Sequence, residues 1–267
     1  MRIKALVQAR LNSARLPRKV LEEIGGKTLL EHIAERLGSL SGAGVELCFA
    51  IAHEADGALS DFLTAKGLPF FAGSEKDVLQ RYVDAAADLA DADYVIRATA
   101  DNPFPDQEQL GMLVHYVKNH GIDYGYTAGL PLGMGTEIIR VNALRSVLLR
   151  NIPLTPGGEP GLKPHHHEHV TPFIRENAHL YETYPQPLDA NLDEKAAAQR
   201  VQGIRLTIDE PADFEVARRV YRHFLMLGKP LFTSIDVIQL KRNNPEMFAG
   251  NETVVQRGMT SVDNRTS

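Results

Sequence analysis

Short runs of apolar, β-branched and aromatic residues recur along the chain with few polar interruptions. These runs predict strands at residues 3–9, 45–52, 69–72, 94–99, 124–127 and 204–208. Strands that are apolar at nearly every position are typical of a sheet covered on both faces. Between them lie stretches in which apolar residues repeat at helical spacing. One such stripe contains Leu29, Leu30, Ile33, Leu37 and Leu40, and a second contains Val78, Leu79, Tyr82, Val83, Ala86 and Leu89.

The alternation of strands and helices predicts an α/β fold with a mixed, mostly parallel sheet flanked by helices. A last helix is expected over residues 211–227, with Pro211 in its first turn and Gly228 at its end. Residues 1–245 are expected to form one domain. Within it, residues 129–169 are rich in Gly, Pro and His and predict an irregular, lid-like loop. Residues 246–267 are expected to form a polar, flexible tail.

Composition excludes several classes of protein. The 267 residues include 29 Lys and Arg against 34 Asp and Glu, so the net charge of −5 gives no general attraction to nucleic acid or anionic membrane. Cys48 is the only cysteine, which excludes an internal disulfide and suits a reducing compartment. No apolar run is long enough for a membrane helix or a signal peptide. We therefore expect a cytoplasmic protein that binds neither nucleic acid nor membrane.

A basic loop follows the first predicted strand. Residues 10–19 contain Arg10, Arg15, Arg18 and Lys19 and no acid, although the chain as a whole is acidic. Arg and Lys side chains suit the phosphate oxygens of a nucleoside triphosphate, and Asn12 and Ser13 would add donors. A solvated basic loop is the alternative. The position after a strand favours a ligand, because open parallel sheets bind ligands at the carboxyl ends of their strands.

Two familiar phosphate-binding motifs are absent. Gly26-Lys27-Thr28 resembles the end of a P-loop, but Leu21 stands where that motif requires glycine. No G-x-G-x-x-G sequence follows the first strand, so dinucleotide binding of the Rossmann type has no support.

Two aspartates follow apolar runs and precede prolines. Asp101 comes after residues 94–99, and Asp209 comes after residues 204–208. Carboxylates at strand ends can hold Mg²⁺ together with substrate phosphates. Asp101 could instead belong to a turn before Pro103, and Asp209 could cap the helix that starts near Pro211.

These residues resemble the signature of cytidylyltransferases that activate sugar acids, the acylneuraminate and ketodeoxyoctulosonate cytidylyltransferases, and especially their SpsF-like spore-coat polysaccharide branch. The first motif is Ala9-Arg-Leu-Asn-Ser-Ala-Arg-Leu-Pro-Arg-Lys-Val-Leu21. Further matches begin at Gly73, Arg97, His167 and Leu206 and occur in the family order. The chain departs from the pattern at Asn12 and Arg18, where the family commonly has glycine.

The resemblance implies a glycosyltransferase-A-like nucleotide-binding fold and transfer of CMP from CTP, with release of pyrophosphate. It assigns the nucleotide to Arg10, Asn12, Ser13, Arg15, Lys19, Gly73, Ser74, Asp77 and Arg81. It assigns Mg²⁺ to Asp101 and Asp209, and catalysis to Lys19, Arg15 and Asp101. The partners that it implies are CTP and a small sugar substrate, and it suggests a homodimer.

The acceptor side is less defined by the sequence. Glu137 follows a glycine turn, and Glu168 and His169 precede a predicted helix, so these are candidate substrate contacts. An acidic acceptor needs a cation, for which Arg140 and Arg175 are both candidates. His165, His166, His167 and His169 could bind a metal or the substrate, although adjacent histidines rarely converge on one ion. Tyr82 fits a core position.

Two other functions are compatible with these residues. A glycosyltransferase of the same fold would use a nucleotide sugar as its donor, and a non-catalytic module would bind the nucleotide without turnover. Pyrophosphate release from CTP distinguishes the first hypothesis from both.

Overall fold

The computed structural model describes residues 1–12, 15–53, 57–150 and 161–254, without the side chain of Glu194. Its strands are β1 (Ile3–Gln8), β2 (Glu23–Ile24), β3 (Lys27–Thr28), β4 (Val45–Ala52), β5 (Phe70–Gly73), β6 (Tyr94–Thr99), β7 (Tyr124–Ala128), β8 (Glu137–Arg140) and β9 (Thr183–Pro187). Its α-helices are α1 (Leu29–Gly38), α2 (Gly57–Ala65), α3 (Val78–Ala85), α4 (Gln107–Asn119), α5 (Val141–Leu149), α6 (Pro164–His169), α7 (Pro172–Glu176), α8 (Glu194–Val201), α9 (Pro211–Met226) and α10 (Ser234–Asn243).

The described residues form one mixed, seven-stranded sheet in the order β5-β4-β1-β6-β8-β7-β9. The first four of these strands are parallel, β8 is antiparallel to both β6 and β7, and β9 is parallel to β7. The separate hairpin β2-β3 lies outside the sheet. The α/β architecture expected from the sequence is confirmed.

Helices cover both faces of the sheet, and alternate residues of β1 show this. Ile3, Ala5 and Val7 belong to a core that includes α1, α2 and α4, whereas Leu6 faces a core that includes α3, α5 and α7. Tyr82 is fully buried in the second core and donates a hydrogen bond to the carbonyls of Leu6 and Ala98, so its core position is confirmed. A third core joins α9 and α10 to Phe104 and to residues 204–208.

The first helix begins where its sequence signals a start. The Thr28 hydroxyl accepts from the backbone N–H of Glu31, and the Glu31 carboxylate accepts from the backbone N–H of Thr28, which is a capping box. Its predicted stripe is buried at Leu29, Leu30, Ile33 and Leu37.

The prediction of an irregular, lid-like loop over residues 129–169 is wrong for much of this stretch. This stretch contains β8, α5 and α6, and residues 151–160 lie outside the described part. Strand β8 has only four residues, which is too few for the alternation of a strand to be recognised in the sequence. Pairing with β6 and β7 on both sides stabilises it.

The strand expected over residues 204–208 does not form. The segment is extended, but it makes only an isolated bridge between Leu132 and Arg205, plus bonds from Leu206 N to Leu132 O and from Ile208 N to Asp101 O. A Cβ on Gly133 would lie 2.2 Å from the backbone nitrogen of Thr207. Position 133 therefore has room only for glycine where the two segments meet.

The expected tail begins later than residue 246. Residues 245–248 form a 3-10 turn, Phe248 is buried against α9 and α10, and Asn251 is also buried. Residues 255–267 lie outside the described part. No helix among the described residues is long and apolar enough to cross a membrane.

Candidate active site

The carboxyl ends of β5, β4, β1 and β6 meet at one edge of the sheet. Register pairs Gln8 of β1 with Ala50 of β4 and with Thr99 of β6, and pairs Ala52 with Gly73 of β5. The basic loop after β1, the segment after Gly73 and the loop carrying Asp101 therefore leave the sheet side by side.

The two strand-end aspartates meet at Lys19. Its ammonium lies 3.4 Å from Asp101 Oδ2 and 3.3 Å from Asp209 Oδ1, and it donates to the backbone carbonyl of Ile208 at 2.6 Å. The Lys19 side chain is only 11% exposed, whereas a third of the Asp101 side chain is open. Residues separated by up to 190 positions along the chain thus form one compact charged centre.

Asp101 stays ionised to low pH. Burial alone would raise its pKa, but the charge of Lys19, hydrogen bonds from the Thr99 hydroxyl and Lys19, and the charge of Arg10 together lower it below the usual value. The Thr99 hydroxyl lies 2.6 Å from Asp101 Oδ1. A carboxylate held in this state is available as a ligand for a cation.

Asp209 is held by two arginines as well as by Lys19. Arg15 Nη2 lies 3.3 Å from Oδ1, and Arg205 Nη2 lies 2.9 Å from Oδ2. Arg15 also pairs with Glu210 at 3.0 Å. The basic loop is therefore tied to the segment before α9.

Asp209 adjoins a network of buried, hydrogen-bonded side chains that the sequence analysis did not assign to the site. Asp213 is fully buried and accepts from Arg205 Nε at 2.8 Å and from the backbone N–H groups of Asp209 and Glu210. The amide of Asn251 donates to Asp213 at 2.9 Å and to the carbonyl of Arg205 at 3.1 Å. The spacing of Arg205 and Asp213, four residues on either side of Asp209, is the sequence signal that could have revealed them.

The basic loop makes a tight turn before Lys19. Arg18 has φ 57° and ψ 17°, and its N–H donates to Leu11 O at 3.0 Å. Its side chain and that of Asn12 are exposed, and Ser13 lies outside the described residues. The departure from glycine at position 18 leaves a left-handed turn in place.

The segment after β5 is also closely packed. Arg81 of α3 is buried and donates to Ser74 O at 2.8 Å, and a Cβ on Gly73 would lie 3.0 Å from the Arg81 side chain. Asp77 caps α3 and pairs with His167 Nδ1 at 2.8 Å. The expected nucleoside segment thus adjoins α6, the helix that carries the candidate acceptor contacts.

Glu137 is the centre of a second polar cluster on the same sheet. It pairs with its cross-strand neighbour Arg97 at 2.9 Å, accepts from Thr171 Oγ1 at 3.0 Å, and accepts from the hydroxyl of Tyr124. Arg175 Nη1 lies 3.9 Å from it. Arg97 and Thr99 share one face of β6 about 7 Å apart along the strand, so this cluster adjoins the Lys19 centre.

The structure separates the two candidate cations for an acidic acceptor. Arg175 lies beside Glu137 and over the ring of Tyr126, and 41% of its side chain is exposed. Arg140 is the last residue of β8 and lies at the opposite end of the strands, where β6 begins. There it pairs with Asp123 and contacts Tyr94. Only Arg175 is near the other candidates.

A strained turn joins Glu168 and His169 to this cluster. Val170 is fully buried and has φ 69° and ψ −54°, and the N–H of Thr171 donates to His169 O at 2.8 Å, which forms a γ-turn. A β-branched residue in this conformation costs about 1–3 kcal/mol and typically occurs where tertiary structure fixes a functional loop.

The histidines nearby have a geometry that disfavours a metal. His165 and His166 place Nε2 at 2.7 and 3.2 Å from the carboxylate oxygens of Glu176, the one three-residue ligand group among the described residues. However, His166 Nδ1 accepts from the backbone N–H of Lys163, so its proton is on Nε2 and points at Glu176. Burial lowers the pKa of His166, consistent with this neutral form. The two histidines are therefore satisfied by hydrogen bonds to one carboxylate.

The oxygen atoms around Lys19 suit a different cation. Two carboxylates and a backbone carbonyl are the hard donors that Mg²⁺ prefers, and they lie where the phosphates of a bound nucleotide would meet the basic loop. The residues present therefore fit Mg²⁺.

Comparison with known protein families decides the class of this fold and site. Residues 4–239 match the family model described as cytidylyltransferase. The chain belongs to the cytidylyltransferase family. It is an enzyme, a nucleotidyltransferase that uses CTP, as the sequence predicted.

Relatives of this cytidylyltransferase cover nearly its whole length. It is 30% identical to the spore coat polysaccharide biosynthesis protein SpsF of Bacillus subtilis, over 90% of this chain and 94% of that protein. It is 29% identical to an uncharacterised protein of Methanocaldococcus jannaschii, over 98% of this chain and all of that protein.

Solved structures give the same result for the fold of the cytidylyltransferase. A cytidylyltransferase from Leptospira borgpetersenii superposes with a TM-score of 0.75 at 27% identity, over 96% of this chain and all of that one. A CMP:2-keto-3-deoxy-manno-octonic acid synthetase in complex with CTP superposes with a TM-score of 0.61 at 16% identity, over 84% of this chain and 99% of that one. The second likeness concerns the fold alone.

Proposed function

We propose that this cytidylyltransferase transfers CMP from CTP to a sugar acid, with Mg²⁺ as cofactor and pyrophosphate as the second product. The observation that carries this proposal is the meeting of Lys19, Asp101 and Asp209 at the edge of the sheet where the basic loop begins. In the wider pathway, the product would be an activated sugar for polysaccharide assembly, in line with the name of the SpsF relative.

The nucleotide side of the site is built from the basic loop and the segment after β5. Arg10, Asn12, Ser13, Arg15 and Lys19 would hold the triphosphate. Gly73, Ser74, Asp77 and Arg81 would contact the nucleoside. Fixed cations beside the β- and γ-phosphates stabilise the charge that develops on the leaving pyrophosphate, so Lys19 and Arg15 act as catalytic residues.

Asp101 and Asp209 would hold the cofactor. Bound Mg²⁺ would supply charge neutralisation and orientation of the phosphates. Asp101, which is ionised and a third exposed, faces the open side of the site. Asp209 is held from behind by Arg205.

The acceptor would bind at the Glu137 cluster. The hydroxyl groups of the acceptor would be contacted by Glu137, Glu168 and His169. Arg175 would pair with the carboxylate of the acceptor. Arg175 suits this role because 41% of its side chain is exposed and it lies beside Glu137 in the same cluster. The acceptor hydroxyl would then attack the α-phosphorus in line.

The decisive experiment measures pyrophosphate release. The protein is incubated with each of the four nucleoside triphosphates, Mg²⁺ and a panel of sugar acids and neutral sugars. We expect turnover with CTP and a sugar acid, and a loss of at least 100-fold in Asp101→Asn. Asp91→Asn is the matched control, because Asp91 is an exposed partner of Arg145 in the loop that leads into the opposite end of β6.

Three outcomes would contradict parts of this proposal. Preference for another triphosphate would overturn the choice of nucleotide, and turnover only with neutral sugars would overturn the sugar acid. Full activity of folded Asp101→Asn would overturn its role at the cofactor.

A further inference from the structure

Three oxygen atoms converge on the ammonium of Lys19. These are Asp101 Oδ2, Asp209 Oδ1 and the backbone carbonyl oxygen of Ile208, and we name them the oxygen cradle. They come from two segments, the loop after β6 and the segment before α9, which are joined by the hydrogen bond from Ile208 N to Asp101 O. An ammonium group has three N–H donors, so the cradle matches its hydrogen-bonding capacity.

The same three atoms form a donor set for a hard divalent cation. Carboxylate and carbonyl oxygens are typical ligands of Mg²⁺ and Mn²⁺. Lys19 therefore occupies the position toward which the ligands of the proposed cofactor point. The ammonium and a divalent cation cannot share this position.

The charges around the cradle also oppose a second cation. Asp209 already contacts Lys19, Arg15 and Arg205, at 3.3, 3.3 and 2.9 Å. A divalent cation that arrived alone would meet these positive groups at short range, in a part of the molecule where little water screens them. A cation that arrives with a triphosphate brings negative charge, which offers Lys19 and Arg15 new partners.

The backbone of Lys19 is held by hydrogen bonds, and its long side chain allows the ammonium to change position. Its N–H donates to Leu16 O, and its carbonyl accepts from Glu22 N, so the main chain is held on both sides. The ammonium is carried on a flexible four-carbon stem, unlike the planar and more rigid guanidinium of arginine.

We propose that Lys19 acts as an internal counter-cation that closes the oxygen cradle to free divalent metal, and that it leaves the cradle for the phosphates when the metal–nucleotide complex binds. The first half of this proposal concerns the protein alone, and the second half rests on the proposed function. It assigns to Lys19 a role in the order of binding, in addition to its contact with phosphate.

The test measures binding of Mn²⁺ alone, without nucleotide or acceptor. Free Mn²⁺ is titrated by electron paramagnetic resonance against the full-length wild type and Lys19→Met, whose unbranched side chain is one atom shorter and carries no charge. We expect Lys19→Met to bind one Mn²⁺ at least tenfold more tightly than the wild type and, at the same time, to lose activity. Such a gain of metal affinity together with a loss of turnover is not expected of a lysine that only contacts phosphate.

Three further variants locate the effect. Lys27→Met removes a partly exposed lysine paired with Glu35, and it should bind Mn²⁺ like the wild type. The double variant Lys19→Met with Asp101→Asn should lose the gain, because it removes one oxygen ligand. Lys19→Gln, which retains a donor for the Ile208 carbonyl, provides a second uncharged side chain, and circular dichroism confirms that each variant is folded.

The outcomes separate this inference from the proposed function. If Lys19→Met and Lys19→Gln bind Mn²⁺ no more tightly than the wild type, or if the gain persists in the double variant, the counter-cation role is overturned. If the gain appears but the wild type releases no pyrophosphate from CTP with any acceptor, the closure of the cradle stands and the proposed function fails.

Discussion

At the scale of single residues, Arg18 shows how the basic loop tolerates a departure from its family. Its left-handed backbone places Lys19 at the start of a 3-10 turn, with the ammonium directed at the oxygen cradle. The left-handed region costs about 1–2 kcal/mol for a residue with a Cβ, whereas glycine enters it without this penalty. The side chain at position 18 is exposed, so the cost is not repaid by packing.

Two substitutions at this position separate backbone strain from charge. Both Arg18→Gly and Arg18→Ala remove the guanidinium, but only the first relieves the left-handed strain. We expect Arg18→Gly to be more stable than Arg18→Ala by about 1 kcal/mol, or about 2 °C in the midpoint of thermal unfolding. Equal unfolding midpoints would show that the turn is not strained.

At the scale of elements, the segment that follows α10 reaches back to the candidate active site. Phe248 anchors it in the third core, and Asn251 then donates to Asp213 and to the carbonyl of Arg205. Asp213 in turn accepts from the backbone N–H of Asp209. The segment that composition marked as a tail thus helps to fix a proposed cofactor ligand.

Asn251→Ala tests this connection. Loss of a hydrogen bond to a buried carboxylate costs about 1.5–3 kcal/mol, and it loosens the support of Asp209. We expect the Mg²⁺ concentration for half-maximal activity to rise several-fold, with little change in the KM for the acceptor. Asn243→Ala removes an exposed amide at the end of α10 and serves as the control. A uniform loss of stability with an unchanged Mg²⁺ requirement would indicate a purely structural role for Asn251.

At the scale of the whole molecule, buried histidines couple stability to pH. His32 is buried against the rings of Phe104 and Tyr221 and bonds to the carbonyl of Ile24 at 2.8 Å. Burial lowers the pKa of His32, as it lowers that of His166. In the unfolded chain, histidine takes up a proton near pH 6.5.

The folded protein is expected to become less stable as the pH is lowered. Below pH 7 the unfolded state binds more protons than the folded state, so the free energy of unfolding falls as pH is lowered toward 5.5. Paired carboxylates do not contribute over this range, because they are ionised in both states. Glu176 is an example, since its hydrogen bond with His165 lowers its pKa to about 2.

Thermal unfolding between pH 7.5 and 5.5 tests this expectation. We expect the midpoint to fall with pH in the wild type and to fall less in His32→Gln, which can still donate to Ile24. His179→Gln removes an exposed histidine and should keep the wild-type slope. An unchanged slope in His32→Gln would show that His32 does not carry this dependence.

Local sequence determined most of the sheet, because a buried strand or helix stripe needs apolar residues at a fixed period. The strands over residues 45–52 and 94–99 match the structure at both ends, and α9 ends within one residue of its expected limit. Strand β9 was missed because it contains Pro185 and Pro187, which are tolerated at the edge of a sheet. The extended segment over residues 204–208 was taken for a strand because periodicity does not reveal which neighbour a segment meets.

The sequence by itself determined the α/β class, the basic loop, and the aspartates that end two apolar runs, since these depend on residue type and short-range spacing. Tertiary structure alone decided that Lys19 lies between Asp101 and Asp209, that Arg175 and not Arg140 lies beside Glu137, and that Asn251 supports Asp209 through Asp213. These contacts join segments up to 190 residues apart, and they depend on strand order and on how close the loops approach, which the local order of residues does not specify.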